Sequence, residues 1–222
     1  VLSYWLVRGV SAGEPLLLSW DAMRNSLYVS ILAAIAAGTF SIPVALMIVR
    51  YPGTLSRVVE RVSFVGYALP GVVVALSLVF FGIRFVWPLY QTVWLLVFAY
   101  VVLFLPAALG AVRSSVLQIS PRLEEAARSL GRKPHQVILS VTVPLMSSGV
   151  LMGSVLVFLV AMKELPATLI LGPIGFNTLA TNVWSASSEA FFAQAAAPAL
   201  ALILLSSVPM ALLDRKVPLL LT

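Results

Sequence analysis

Five uninterrupted apolar stretches limit what this chain can become. Each lies between charged residues, at 25–49, 62–83, 85–112, 136–162 and 190–213. Each is long enough to cross a bilayer, which takes roughly 20 apolar residues. Inside a bilayer every backbone amide and carbonyl has to be satisfied by the protein itself, so spans of this kind fold as helices. Composition points the same way. The chain is 61% hydrophobic and only 10% charged, whereas a water-soluble domain carries about 25% charged residues. The expected fold is all-α, a polytopic transmembrane bundle with one helix for each of the five stretches.

The net charge of +6 would suit a nucleic-acid binder, but the placing of the charges argues for membrane topology instead. Ten basic residues follow the first, third and fifth stretches: Arg50, Arg57, Arg61, Arg113, Arg122, Arg128, Arg132, Lys133, Arg215 and Lys216. The other side holds four, Arg8, Arg24, Arg84 and Lys163. Lysine and arginine concentrate on the cytoplasmic side of membrane proteins. The expectation is therefore a multi-pass protein with its C-terminus in the cytoplasm and the N-terminus of this chain outside. No nucleic-acid partner is expected. With no cysteine, disulfides and thiolate metal sites are excluded.

Proline and glycine mark the breaks. "RYPG" closes the first stretch at Arg50–Gly53, and "YALPG" at Tyr67–Gly71 predicts a helix break inside the second. Residues 8–24 read as an external loop, 54–61 as a short interfacial segment, and 165–188 as an external, partly re-entrant stretch rich in Gly, Pro, Asn and Ser.

Between the third and fourth stretches lies a charged island, "SPRLEEAARSLGRKPHQ", at 120–136. Ser120 suits a helix N-cap and Pro121 the first helical position. Glu124 and Glu125 fall near the positive end of the helix dipole. Leu123, Ala126, Ala127 and Leu130 recur at spacings of three and four and make one apolar stripe. Gly131 is a natural C-terminal stop, and Pro134 restarts a helix. A helix this short and charged lies on a membrane surface or docks on a partner.

Glu125, Ala126 and Ala127, then Gly131, then Val141, Val143 and Pro144 resemble the EAA motif of ATP-binding-cassette importer permeases, the MetI-like family. That pattern is E-A-A, three residues, G, nine residues, then I-x-L-P. The spacing is matched in full, with Val141 in place of Ile and Val143 in place of Leu. The resemblance implies a coupling helix within a loop at 113–135: Glu125 facing an ATPase subunit, Ala126 and Ala127 allowing close approach, Gly131 permitting the turn. It implies two ABC ATPase subunits, an external or periplasmic substrate-binding protein and a second permease half, fused or separate, in a bacterial plasma (inner) membrane. The stretch "MKELPATLILGPIGFNTLATNVWSASSE", Met162 to Glu189, is similar to the C-terminal half of the ferric-iron permeases of that family. Permeases for spermidine/putrescine, thiamine, phosphonate, sulfate and molybdate share the loop and stand as alternative substrates. On this reading residues 1–23 are the end of a preceding helix and an external loop, 24–216 the permease domain, and 217–222 a tail. The chain would be the C-terminal part of a longer permease.

Catalytic chemistry is not expected. The sequence has no G-x-x-x-x-G-K-[ST] loop to cradle nucleotide phosphates, so ATP hydrolysis would belong to a partner subunit, and no cofactor or metal centre is expected. The lone histidine, His135, reads as a solvated residue of the island. Lys163 and Glu164 close the fourth stretch at its outer end and are the candidates for a pathway or outer gate. The five spans carry no carboxylate or histidine of the kind an ion-coupled carrier uses, which argues against that rival.

Overall fold

A computed structural model describes residues 1–14 and 18–220, with side chains described as far as residue 211. Residues 15–17 of the expected external loop and residues 221–222 of the expected tail lie outside the described residues. Every regular element among the described residues is a helix. In order they are α1 Leu2–Ser11, α2 Trp20–Arg50, α3 Thr54–Ala68, α4 Gly71–Phe85, α5 Val93–Gln118, α6 Pro121–Ser129, α7 Pro134–Val137, α8 Val143–Leu145, α9 Ser147–Ala161, α10 Pro166–Leu171, α11 Leu179–Ser188 and α12 Phe192–Leu220. A short 3₁₀ turn occupies Trp87–Leu89 and a π-helical turn Ile138–Thr142.

Among the described residues three helices are long and apolar enough to cross a membrane: Trp20–Arg50, Val93–Gln118 and Phe192–Ala211. Two bent pairs, α3 with α4 and Pro134–Leu145 with α9, bring the total to five when each counts as one span. The second pair bends by 63°. The break expected at "YALPG" falls at Leu69–Pro70. Proline explains it, because its ring clashes with the helical conformation of the residue before it.

One local expectation changes and two others gain detail. Helix α1 runs to Ser11 and α2 begins at Trp20, so both ends of the stretch read as an external loop are helical. Asp21 in the first turn of α2 suits the dipole and pairs with Arg24 at 3.4 Å. The supposed interfacial segment 54–61 is continuous with residues 62–68 and forms the first half of α3. The stretch 165–188 holds two helices, α10 and α11. Threonine makes the start of the latter. Thr178 Oγ1 accepts the Thr181 amide at 3.3 Å, and Thr181 Oγ1 accepts the Thr178 amide at 2.8 Å.

The chain forms two compact units. The first comprises Val1–Ala33, Pro70–Tyr100 and Phe158–Thr222. In it α1 lies on α12, with Trp5 and Phe192 rings 5.7 Å apart. The start of α2 is tied to the start of α11: Asn25 Nδ2 donates to the Asn177 carbonyl at 3.0 Å, and the Leu179 amide donates to Ser26 Oγ at 2.8 Å. Helix α10 packs on α4.

The second unit comprises Ala34–Leu69 and Val101–Val157. Its core gathers Ala45, Leu46, Leu109, Val112, Val116 and Met146. Helices α5 and α9 meet through small residues. A Cβ on Gly153 would stand 2.9 Å from both Cα and the carbonyl oxygen of Ala108, and one on Gly149 would meet Ser115 and the Ala111 carbonyl. Without a hydrophobic drive between helices in lipid, close backbone approach of this kind supplies the packing energy.

Candidate functional site

The charged island folds as the spacing requires. Pro121 opens α6 and Pro134 opens α7. Ser120 holds the N-cap position with extended backbone but makes no side-chain capping bond, contrary to expectation. At the other end the turn is built from the backbone. The Arg132 amide donates to the Ala127 carbonyl at 3.3 Å and the Gly131 amide to the Arg128 carbonyl at 2.9 Å. These are the two bonds of a Schellman stop, whose residue beyond the cap is left-handed. Gly131 fills that position, with φ +84°. Gln136 Oε1 then accepts the Lys133 amide at 3.0 Å and fixes the start of α7.

The outward side of α6 is mostly the stripe read from the sequence. Leu123 and Ala126 are exposed, Leu130 is 85% exposed, and Ala127 is half-buried. Glu125 is exposed beside them, and its carboxylate makes no hydrogen bond among the described residues. Downstream, Val141 and Val143 are half-buried, Val143 against the core of the second unit, and Pro144 is exposed. The fold thus brings Glu125, Ala126, Ala127, Gly131, Val141, Val143 and Pro144 into one unit, with α6 packed on the π turn. Proline at 144 donates no amide to the preceding turn, and the π turn ends two residues upstream of it, at Thr142.

The residue that sequence reading passed over is Glu124. It is only 7% exposed. Its Oε1 accepts Arg50 Nε at 3.0 Å and Thr142 Oγ1 at 3.1 Å. Its Oε2 lies 3.9 Å from Arg128 Nη2. Arg50 Nη2 also donates to the Ile119 carbonyl at 2.8 Å. A cavity of about 290 Å³ opens beside this network, lined by Arg50, Tyr51, Pro121, Glu125, Arg128 and Pro134. Arg128, one turn after Glu124, was the available signal; Arg50 and Thr142 could not be foreseen from so far along the chain.

Lys163 and Glu164 belong to the first unit. Glu164 is half-buried between α9 and α10, and its Oε1 accepts the Ala167 amide at 3.1 Å. Burial raises the pKa of this carboxyl above the ordinary carboxylate value, and the Ala167 amide partly offsets the rise. Thr168 Oγ1 donates to the Glu164 carbonyl at 2.6 Å. With its proton committed there, Thr168 accepts from the Tyr100 hydroxyl at 2.5 Å. A tyrosine therefore stands near Glu164, which the sequence alone did not reveal. Lys163 is exposed, at a cavity of about 350 Å³ whose walls include Leu165, Val183, Trp184, Leu202 and Ile203. Among the described residues no group of three or more His, Cys, Asp or Glu side chains is placed to hold a metal ion.

Comparison with known proteins decides the family. Residues 30–220 match the family described as "Binding-protein-dependent transport system inner membrane component". The chain belongs to that family. The chain is 39% identical over 217 residues to the "Fe(3+)-transport system permease protein FbpB 2" of Haemophilus influenzae. That match covers 97% of the chain and 43% of the relative, so the chain spans less than half of that relative's length. It is 26% identical over 197 residues to the "Putative 2-aminoethylphosphonate transport system permease protein PhnV" of Salmonella typhimurium, covering 89% of the chain and 74% of the relative. With the "Molybdenum transport system permease protein ModB" of Escherichia coli it shares 31% identity over 167 residues, covering 68% of the chain and 70% of the relative. A solved structure described as inward-facing conformations of the MetNI methionine ABC transporter superposes with a TM-score of 0.70 at 18% identity, covering 98% of the chain and 96% of that one. That likeness shows the helical permease fold.

Proposed function

We propose that the chain is a transmembrane permease subunit, or half of one, in an ATP-driven importer whose cargo is ferric iron. For the mechanism, the observation that carries the reading is α6. It is a short helix with a fixed turn and a mostly exposed apolar stripe, flanked by the Glu125 carboxylate, which makes no hydrogen bond among the described residues. Leu130, 85% exposed at the C-cap of α6, offers an apolar side chain for docking. For the cargo, support comes from the 39% identity to a relative named as an Fe(3+)-transport permease, which runs along nearly the whole chain.

On this reading two ATPase subunits receive the coupling loops of this chain and of a second permease half. A substrate-binding protein delivers cargo on the opposite face. Closure of the ATPase pair moves α6, and the membrane helices exchange access from one side to the other. The change requires only that nucleotide favour one of two arrangements. The basic residues Arg50, Arg57, Arg61, Arg113, Arg122, Arg128, Arg132 and Lys133 favour the cytoplasmic side for α6. Glu164 and Lys163 then lie toward the outer side, where they act as a gate or pathway element.

The test is uptake of radiolabelled ferric iron into vesicles that hold the complete permease, its ATPase and its binding protein. ATP-dependent accumulation is expected, and Glu125→Ala should weaken ATPase association with the permease. Iron uptake that proceeds without ATP would overturn the mechanism. Uptake of phosphonate or molybdate in place of iron would retain the importer and replace the cargo.

A further inference from the structure

We propose that Glu124, rather than its neighbour Glu125, is the positioning residue that fastens α6 to the membrane helices. With Arg50 it forms an inward latch that makes α6 and the end of α2 move as one body. The inference rests on the coupling role given to α6 above and divides that role between two adjacent carboxylates. Glu125 faces outward and meets the partner; Glu124 faces inward and carries the movement on.

Four elements converge on the latch. Arg50 is the last residue of α2, Ile119 lies just past the end of α5, Glu124 lies in α6, and Thr142 closes the π turn. Their bonds, at 2.8, 3.0 and 3.1 Å, form one connected set. The ions are secluded, with side-chain exposures of 15% for Arg50 and 9% for Glu124. A secluded ion left without its partner is strongly disfavoured, so the pair resists separation of α6 from α2. Hydrogen bonds of this length also fail once the atoms part by an ångström or so. The planar guanidinium suits the task, because it addresses a carboxylate with Nε and a carbonyl with Nη2 at once. Lysine, a point donor on a flexible stem, does not reproduce that fork. The π turn adds the second route. Thr142 joins Glu124 to the segment that leads directly into the 63° bend before α9. Local π turns inside helices recur at functional positions.

The test uses the complete transporter in lipid nanodiscs, with spin labels at Tyr51, just past α2, and at Arg122, on α6; both sites are exposed. In the otherwise native protein the Tyr51–Arg122 distance distribution should be narrow and the same with and without ATP. Glu124→Gln keeps the side-chain shape and an acceptor for Thr142 but removes the ion, and it should broaden the distribution and make it respond to nucleotide. Arg50→Lys should do the same. In vesicles, uptake per ATP hydrolysed should fall at least tenfold in both variants, while the ATPase still co-purifies. Combining the two should be no worse than either alone, as expected of partners in one interaction. A native distance that shifts by several ångströms on ATP binding would overturn the latch. So would a Glu124→Gln protein with native distances and native uptake per ATP. Loss of ATPase association in Glu124→Gln would instead make this residue part of the docking surface and end the proposal. Failure of the coupling role itself reads out separately, as unchanged ATPase association in Glu125→Ala.

Discussion

Gly131→Ala isolates one number. At φ +84° the residue sits in the left-handed region, and a Cβ built there meets nothing within 4 Å. No steric clash with neighbours contributes, so the cost is that of the backbone conformation alone, about 1–2 kcal/mol for an L-residue with a Cβ. That figure corresponds to a roughly 5–30-fold shift in the equilibrium between closed and open turn. The closed turn is reported by two amides, those of residue 131 and Arg132, bonded to the Arg128 and Ala127 carbonyls. Hydrogen exchange of the Arg132 amide in nanodiscs should therefore accelerate by the same factor in Gly131→Ala. Asparagine visits the left-handed region more readily, so Gly131→Asn should recover much of the protection. Gly53→Ala is the control, because Gly53 is extended at φ −170° with open space around it, and it should change nothing. If exchange in Gly131→Ala matched the native rate, or if Ala and Asn behaved alike, the left-handed turn would not be what holds the end of α6.

Gly153→Ala should lower the thermal midpoint of the detergent-solubilised permease. Its new Cβ would face backbone atoms of Ala108 at 2.9 Å, and overpacking of that kind costs about 1–3 kcal/mol. Gly110→Ala, also within a helix but with nothing near its added Cβ, should raise the midpoint through better helix propensity, by about 0.5–1 kcal/mol of stability. Glu164→Gln tests the half-buried carboxyl. Because its folded pKa is raised, the folded state holds a proton that the unfolded state releases first. Stability should fall as pH climbs from the ordinary carboxylate range through the raised pKa and level off above it. The Gln variant, which still accepts from the Ala167 amide, should lose that slope; the same slope in native and variant protein would assign it to other groups.

The spans were legible in the sequence because charge interrupts them, and α6 was legible because Pro121 and Gly131 are local signals with local causes. The break at Leu69–Pro70 could be read for the same reason. Other features depend on distant partners. Glu124 and Glu125 are adjacent, equally charged and both in the first turns of α6; on a helix they point about 100° apart. Which one turns inward is decided by Arg50 and Thr142, 74 and 18 residues away. The start of α2 at Trp20 was hidden because Asp21 and Arg24 look like loop residues until their i,i+3 pairing is seen. Tyr100 gave no hint of its place near Glu164, since 68 residues separate it from Thr168.

Charge is scarce in this chain, so its use within the second unit is informative. Two ion pairs there join separate helices. Arg50 and Glu124 connect α2 to α6, and Arg113 and Glu60 connect α5 to α3 at 2.6 Å. Between them the helices meet backbone to backbone, through Gly66 against the Val102 and Leu103 carbonyls and through Gly149 and Gly153 against α5. Contacts of that kind leave no long side chain to change rotamer and absorb a displacement, and close-packed interiors transmit strain rather than dissipate it. A push delivered at α6 therefore reaches α2 through the Arg50 pair and α9 through Thr142 and the π turn. Helix α6 needs no flexibility for this, only fixed attachment. On the proposed coupling role the apolar stripe is where the partner docks, and it is the secluded pair, not the stripe, that sets how far the partner's movement carries.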